Sequence, residues 1–386
     1  MVFPQLPNGK ELCDLLVVFK NIAIIWQVKD LKLDNNGNVN SREVHKNLRQ
    51  LSGARRQLFD IKTPIELYNP RRKREVFDPS SINEVHLISA LMGEERDAMN
   101  MVETIKNHFA HIFTKSLLPV LLEELDTIRD FCQFLAAREA VVRDNRVGEI
   151  YGGEQDLLAY YLIHDRSFGS TNEVINISKG LWGQFRNSSA YQRKKEADEI
   201  SYYWDEIINR VHECLDNPPY PESYERVARM MAWPNRLYRR MLGASFADAH
   251  AFADSIPPIM KKDMVHRRVT VTPFGVTYCF LFHDISPYDD SLRNTRFLML
   301  QALCHVVRGV FQRNTVVIGV GTEMTIEEEC TFDFVGLEIP VWTSEDEKRL
   351  KSYQNTYNFL SDVQIFVQQA EEYPSEEDLT DSQLII

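Results

Sequence analysis

Two apolar runs near the start of the chain constrain its fold more than any other feature. Residues 11–31 read ELCDLLVVFKNIAIIWQVKDL, with β-branched residues on both sides of a short polar break at Lys20 and Asn21. Runs of this length and composition are typical of buried strands, and a two-residue break is typical of a hairpin. The sequence therefore predicts a buried β-hairpin, which requires a sheet around it.

An amphipathic helix is predicted directly after this hairpin. The loop LDNNGNVN has the Asn and Gly residues that suit turns, and Ser41 is a candidate N-cap for a helix that continues to about Phe59. The apolar face of this helix contains Val44, Leu48, Leu51, Ala54 and Leu58. The opposite face contains the basic residues Arg42, Lys46, Arg49 and Arg56. A strand at 85–90 follows, residues 111–118 offer another, and a helix is expected over 123–142.

Three further segments are predicted from the sequence of the remaining chain. Residues 146–260 are mainly helical and form a connector or a subdomain, and residues 261–370 have the pattern of a compact α+β domain. In that domain a helix over 290–313 is expected to bury Phe297, Leu300, Cys304, Val307 and Phe311. Residues 371–386 form an acidic tail, expected to be disordered or peripheral. The first domain would then occupy residues 1–145, and no internal repeat is apparent.

Composition and charge exclude several classes of protein. The 386 residues are 44% hydrophobic and 26% charged, and no apolar run approaches the roughly 20 residues of a membrane helix. The N-terminus lacks the pattern of a secretory signal, so we expect a soluble, cytoplasmic protein with no membrane partner. Six dispersed cysteines without a CxxC pair predict neither a zinc ribbon nor a disulfide framework.

The net charge of −12 is unevenly distributed along the chain. Residues 1–80 contain 14 Lys and Arg against 9 Asp and Glu, whereas the remainder contains 30 against 47. Contact with phosphate groups is therefore expected at the N-terminal end.

Three polar residues of the hairpin have the pattern of a metal-dependent hydrolytic site. Asp14 opens the first strand, and Gln27 and Lys29 are two residues apart on the second strand, so they project to the same face. Phosphodiester cleavage needs oxygen ligands for Mg²⁺ and a cation that offsets charge on the phosphate. A hairpin brings such groups together at one edge.

Asp14 followed by Gln27-Val28-Lys29 resembles the D…QxK variant of the PD-(D/E)XK nuclease superfamily, over residues 11–90. The resemblance implies a mixed α/β fold, with a restriction-endonuclease-like core of a sheet flanked by helices. It also implies that Asp14 and Gln27 bind Mg²⁺ or Mn²⁺ and that Lys29 positions the nucleophilic water. The superfamily's first helix has no room ahead of Asp14, so either the start is truncated, the helix is missing, or Glu11 substitutes for the Glu of that helix. Gln27 stands where an acidic residue is usual, which weakens binding of a hard cation.

The sequence leaves two functions open. The first is a metal-dependent endonuclease acting on DNA, in bacterial defence, restriction or repair, with a homodimer consistent with cutting both strands. Its nucleic-acid contacts would come from the basic helix face and from Arg71, Arg72, Lys73 and Arg74. The alternative is an inactive nuclease-like scaffold that binds nucleic acid or protein. Pairs such as His108 with His111, His283-Asp284 and Cys304-His305 lack partners at metal or catalytic spacing, so we expect structural roles for them.

Overall fold

The structure is a computed structural model. The chain forms two compact units, Met1–Tyr191 and Gln192–Ile386. The structure describes residues 11–33, 40–61, 64–68, 74–94, 102–105, 107–169, 174–213, 221–262, 264–285, 290–326, 330–361 and 371–375. The boundary expected after residue 145 lies within the first unit, and the segment 146–260 is shared between the two units. The mixed α/β and α+β fold class is confirmed.

The first unit combines a five-stranded sheet with helices on both faces. Its elements in chain order are β1 (Leu15–Phe19), β2 (Ile22–Lys29), α1 (Ser41–Phe59), β3 (Glu66–Leu67), β4 (Glu75–Val76), a 3₁₀ turn (Pro79–Ser81), β5 (Glu84–Leu91), β6 (Val102–Ile105), β7 (His108–Thr114), α2 (Leu117–Glu124), α3 (Ile128–Arg143), β8 (Val147–Ile150), α4 (Glu154–Ile163), β9 (Ile175–Ile177) and α5 (Leu181–Arg186). The strand order is β1-β2-β5-β7-β6.

The hairpin and the order strand, strand, helix, strand are confirmed. β1 pairs antiparallel with β2, while β2, β5 and β7 are parallel neighbours. Parallel strands need a crossover connection, and α1 supplies it between β2 and β5. This crossover places the start of α1 near the carboxyl ends of β2 and β5.

The two faces of the sheet bury different helices. The five apolar residues predicted for α1 are all buried, in a core that also includes Ile25 and Leu87. On the opposite face, Trp26 stacks on Phe131 of α3 with ring centroids 5.8 Å apart. Because neighbouring strand residues point to opposite faces, Gln27 and Lys29 lie on the α1 side together with Ile25.

Two local predictions in the first unit need correction. The N-cap of α1 is Asn40, whose side chain accepts from the backbone N–H of Glu43, and Ser41 is the first helical residue. The helix expected over 123–142 is two helices, α2 and α3. They are separate because Thr127 caps α3, its Oγ1 accepting from the Asp130 N–H at 3.1 Å.

The second unit is built around a four-stranded sheet. Its elements in chain order are α6 (Ser189–Glu213), which begins just before the boundary, α7 (Glu222–Ala232), α8 (Arg236–Ser255), α9 (Pro258–Lys261), β10 (Val265–Val271), β11 (Val276–His283), α10 (Asp290–Val310), β12 (Val316–Glu323), β13 (Asp333–Glu338) and α11 (Ser344–Tyr357). The strand order is β10-β11-β12-β13, with α10 and α11 on one face and α6, α7 and α8 on the other.

The two units share an arrangement that the sequence does not reveal. In each, an antiparallel hairpin leads into a crossover helix and then into a strand parallel to the second hairpin strand. Eight residues pair in register in both cases, from Ile22 with Glu84 to Lys29 with Leu91, and from Val276 with Val316 to His283 with Glu323. The repetition is one of topology and register.

The apolar face of α10 is mostly as predicted. Leu300, Cys304 and Val307 are fully buried and Phe311 is partly buried, but the Phe297 side chain is 39% exposed. The buried stripe is centred near Leu303, so Phe297 lies at its margin.

The described part of the acidic tail, residues 371–375, contacts helices of the second unit. Arg193 donates to the Pro374 carbonyl at 2.9 Å, and Arg240 donates to the carbonyls of Glu371 and Glu372. Residues 376–386 lie outside the described residues. Among the helices that the structure describes, none has the length and apolar character that crossing a bilayer requires.

Candidate functional site

Asp14 and Gln27 lie side by side at the edge of the first sheet. The register that pairs Leu15 with Trp26 places Asp14 opposite Gln27. The Gln27 Nε2 donates to Asp14 Oδ2 at 2.7 Å, and the Val28 N–H donates to the same oxygen at 2.5 Å. The hairpin therefore brings together two residues that are 13 positions apart.

Lys29 lies on the same face as Gln27 and meets a residue that sequence reasoning missed. Its Nζ is 2.6 Å from Oε2 of Glu43, and the two side chains are 29% and 37% exposed. Glu43 is in the first turn of α1, which the crossover carries over the end of β2. The hydrogen bond and charge of Lys29 lower the pKa of Glu43. The only sequence signal for this contact is an acidic residue in the first turn after the strand.

Two fully buried polar residues continue the same face. The Ser89 Oγ donates to Asn47 Oδ1 at 2.6 Å, and Ser89 is the register partner of Gln27 on β5. Asn47 lies one helical turn after Glu43, and its Nδ2 has no hydrogen-bond partner among the described residues. A buried amide N–H without an acceptor is costly, so this group is suited to a ligand or solvent oxygen.

These residues define one site at the carboxyl ends of β2 and β5. The carboxyl-edge cluster consists of Asp14, Gln27, Lys29, Glu43, Asn47 and Ser89. It combines two carboxylates, two amides, a hydroxyl and an ammonium on the α1 side of the sheet. The carboxyl edge of parallel strands is also where open α/β sheets commonly bind ligands.

The donor set of the carboxyl-edge cluster fits a hard divalent cation. The 2.7 Å between Asp14 Oδ2 and Gln27 Nε2 is close to the spacing of about 2.9 Å between neighbouring ligands of octahedral Mg²⁺. A half-turn of the Gln27 amide exchanges its nitrogen for its oxygen at this position. Asp14 and Gln27 can then present two oxygens to one Mg²⁺ or Mn²⁺ ion.

Glu11 lies outside the carboxyl-edge cluster. It is exposed, and its carboxylate makes no hydrogen bond or ion pair with Asp14, Gln27 or Lys29 in the described structure. Its charge acts on the neighbouring Cys13, whose pKa is raised to about 12 by burial, by Asp14 and by Glu11. The carboxylate that α1 brings to the cluster is Glu43.

The predicted nucleic-acid contacts are divided between described and undescribed residues. Arg42, Lys46, Arg49 and Arg56 are all exposed on the outer face of α1. Arg74 lies 3.7 Å from a Glu66 carboxylate oxygen and over the ring of Tyr68. Arg71, Arg72 and Lys73 lie outside the described residues.

A second polar cluster lies on the other face of the first sheet. Two sets of side chains there have potential metal-ligand atoms within 4.8 Å of one another, namely Glu84, His86 and Cys132, and His86, His111 and Glu139. His86 and His111 share no sequence spacing with a common metal motif, which is why sequence reasoning set His111 aside.

The hydrogen bonds of the two histidines argue against metal ligation by His111. Arg138 Nη1 is 3.2 Å from Nδ1 of His111, and an arginine only donates, so Nδ1 accepts and Nε2 carries the ring proton. Burial, then Arg138, lowers the pKa of His111, so the ring is neutral. His86 Nε2 lies 2.7 Å from Glu84 Oε1, which leaves Nδ1 as its acceptor atom. The two rings thus leave one donor, His111 Nε2, and one acceptor, His86 Nδ1, and this pair suits a hydrogen-bonded bridge between them.

The equivalent edge of the second unit is closed by an ion-pair network. Arg296 is 4% exposed and binds Asp333 Oδ2 at 2.7 Å and Glu323 Oε1 at 3.1 Å. One guanidinium therefore pairs with both carboxylates, and its single positive charge balances one of their two negative charges. Burial, together with Arg296, lowers the pKa of His283 to about 4, so this ring stays neutral.

No family model, curated protein or solved structure matches this chain. The chemistry and geometry of the carboxyl-edge cluster are therefore the basis for assigning a function.

Proposed function

We propose that the first unit is a Mg²⁺- or Mn²⁺-dependent nuclease that hydrolyses phosphodiester bonds of DNA at the carboxyl-edge cluster. The observation that carries the proposal is the convergence of Asp14, Gln27 and Lys29 on one face at the end of β2. A carboxylate, an amide and an ammonium at one edge match the needs of phosphodiester cleavage.

Each residue has a specific role in this proposal. Asp14 and Gln27 hold the ion, which supplies positive charge to the phosphate and acidifies a bound water. Lys29 places its ammonium beside the scissile phosphate and orients the attacking water. Glu43 fixes the Lys29 side chain through the 2.6 Å ion pair, and its lowered pKa keeps it ionised at neutral pH.

The decisive test is digestion of supercoiled plasmid and of single-stranded DNA with Mg²⁺ or Mn²⁺. Wild type should cleave only with metal, and Asp14→Asn should reduce the rate by at least about 10²-fold because an amide replaces the anionic ligand. An unchanged far-UV circular dichroism spectrum controls for folding. Equal cleavage by both proteins would assign the activity to a contaminant.

The basic face of α1 is expected to guide the DNA backbone. Lys46 is three residues after Glu43, and Arg49 follows on the next turn, so both face outward near the cluster. Replacing both with alanine should weaken DNA binding and lower the slope of log K against log salt by about 1 to 2, since each phosphate contact contributes about 0.9. Fluorescence anisotropy over a salt series measures this slope.

The matched control for this double variant comes from the second unit. Lys262 and Arg313 are also exposed cations, and their double alanine variant should leave the slope unchanged. Equal slopes for wild type and the Lys46/Arg49 variant would exclude this face from DNA contact.

A specific observation favours the alternative of a non-catalytic nuclease-like scaffold. Three charged groups of the cluster already have partners, since Asp14 Oδ2 accepts two hydrogen bonds and Glu43 pairs with Lys29. In a scaffold these pairs would only join the hairpin to α1. Metal-independent DNA binding without cleavage in the plasmid assay would establish this second function.

A further inference from the structure

A groove in the second unit combines aromatic rings with an exposed arginine. It has a volume of about 370 Å³, which is within the range of small-ligand sites. Six side chains of its lining come from α7, α10 and the start of β13, namely Tyr224, Phe297, Phe332, Phe334, Arg293 and Asn294. Asp333 also lines the groove, and its carboxylate belongs to the ion-pair network of Arg296.

Phe334 belongs to the apolar core of this unit and Phe332 packs against that core, whereas Phe297 is exposed in the groove. Phe332 and Phe334 stack with ring centroids 6.0 Å apart and planes 15° from parallel. Phe297 of α10 also lines the groove and is 39% exposed, although its helix buries Leu300 completely. A phenylalanine left exposed next to two stacked rings offers a flat surface on which a planar ring can stack.

The polar lining of the groove contains one exposed cation, Arg293, together with Asn294 and Asp333. The Arg293 and Asn294 side chains are exposed, and neither makes a hydrogen bond or ion pair with another described residue. The nearby carboxylate of Asp333 is already bound by Arg296 through both Nε and Nη2, at 2.9 and 2.7 Å. The guanidinium of Arg293 is therefore available to bind a phosphate, and the Asn294 amide can donate and accept hydrogen bonds.

We propose that this groove binds a phosphorylated nucleoside, with the base stacked on Phe297 and the phosphate bound by Arg293. Residues 192–386 contain 20 Lys and Arg against 31 Asp and Glu, so this unit repels a long polyanion. A free mononucleotide fits this charge balance better than a nucleic-acid strand. The proposal does not depend on the nuclease activity of the first unit.

Isothermal titration calorimetry of the full chain in EDTA tests this site without any metal-dependent chemistry. The probes are 5′-AMP, adenosine, inorganic phosphate and a short 5′-phosphorylated oligothymidylate. We expect 5′-AMP to bind with a Kd below about 1 mM, and adenosine and phosphate to bind more weakly. Tighter binding of the oligonucleotide than of 5′-AMP would identify a nucleic-acid end as the source of the ligand.

Substitutions in the groove locate the binding site. Phe297→Ala and Arg293→Ala should each weaken 5′-AMP binding at least about tenfold, which corresponds to about 1.4 kcal/mol. Phe252→Ala and Arg313→Ala replace an exposed phenylalanine and an exposed arginine elsewhere in this unit and should have no effect. Phe297→Leu keeps the apolar volume and controls for folding.

Three results would overturn the proposal. They are no binding of 5′-AMP, equal binding of inorganic phosphate and 5′-AMP, and groove variants that bind as wild type does.

Discussion

Lys29→Met is expected to reduce metal-dependent DNA cleavage by at least about 10²- to 10³-fold, the loss typical of removing one charge-stabilising group from an active site. Methionine preserves most of the side-chain volume but removes the ammonium that would meet the phosphate. It also leaves Glu43 without its 2.6 Å partner, so the carboxylate adds negative charge where the substrate binds. Initial rates of plasmid nicking in Mg²⁺ measure the effect.

Lys32→Met is the matched control for this variant. Lys32 is an exposed lysine three residues further along the chain, outside the carboxyl-edge cluster, so its replacement should leave the nicking rate unchanged. Cleavage by Lys29→Met at the wild-type rate would remove Lys29 from the mechanism and favour the scaffold function.

Glu43→Gln tests whether Glu43 acts only by positioning the Lys29 side chain. The amide keeps a hydrogen bond to Lys29 but loses the charge, so a positioning role predicts a smaller loss of rate than for Lys29→Met. Because Lys29 lowers the folded pKa of Glu43, their ion pair is fully present above the usual glutamate pKa. The ion pair is lost only as the pH falls through the lowered pKa of Glu43, so the nicking rates of wild type and Glu43→Gln should converge in acid.

Arg138→Met is expected to lower the free energy of unfolding of the first unit by about 3–5 kcal/mol, the usual cost of breaking a buried ion pair. Arg138 is fully buried and donates to both carboxylate oxygens of Glu154, at 3.0 Å through Nε and 2.6 Å through Nη2. Without the guanidinium, Glu154 is left as a buried charge and His111 loses its hydrogen-bond donor. Hydrogen exchange of the β5 and β7 amides measures the stability of this unit.

Two further variants isolate the contribution of the buried Arg138–Glu154 ion pair to the stability of the first unit. Adding Glu154→Leu to Arg138→Met should restore much of the lost stability, because the unpaired charge is removed as well. Arg143→Met breaks the partly exposed pair with Glu139 on the same helix and should cost at most about 1 kcal/mol. A loss for Arg138→Met as small as that for Arg143→Met would show that Glu154 finds another partner or is solvated.

The sequence by itself determined the local elements of this protein and the core of its candidate site. The two β-branched runs and the polar break fix the hairpin, and the strand period of two then places Gln27 and Lys29 on one face. The short turn sets the register that brings Asp14 opposite Gln27. The apolar periodicity of α1 likewise fixes which of its faces is buried.

The tertiary structure alone decided which long-range partners the polar side chains meet. Glu43 reaches Lys29, and Asn47 reaches Ser89, only because α1 crosses from β2 to β5 on one particular face of the sheet. The pairing of Arg138 with Glu154 and the exposure of Phe297 likewise depend on how helices pack. Periodicity and turn residues report backbone geometry within about twenty residues, whereas these contacts depend on the packing of whole elements, which no local pattern encodes.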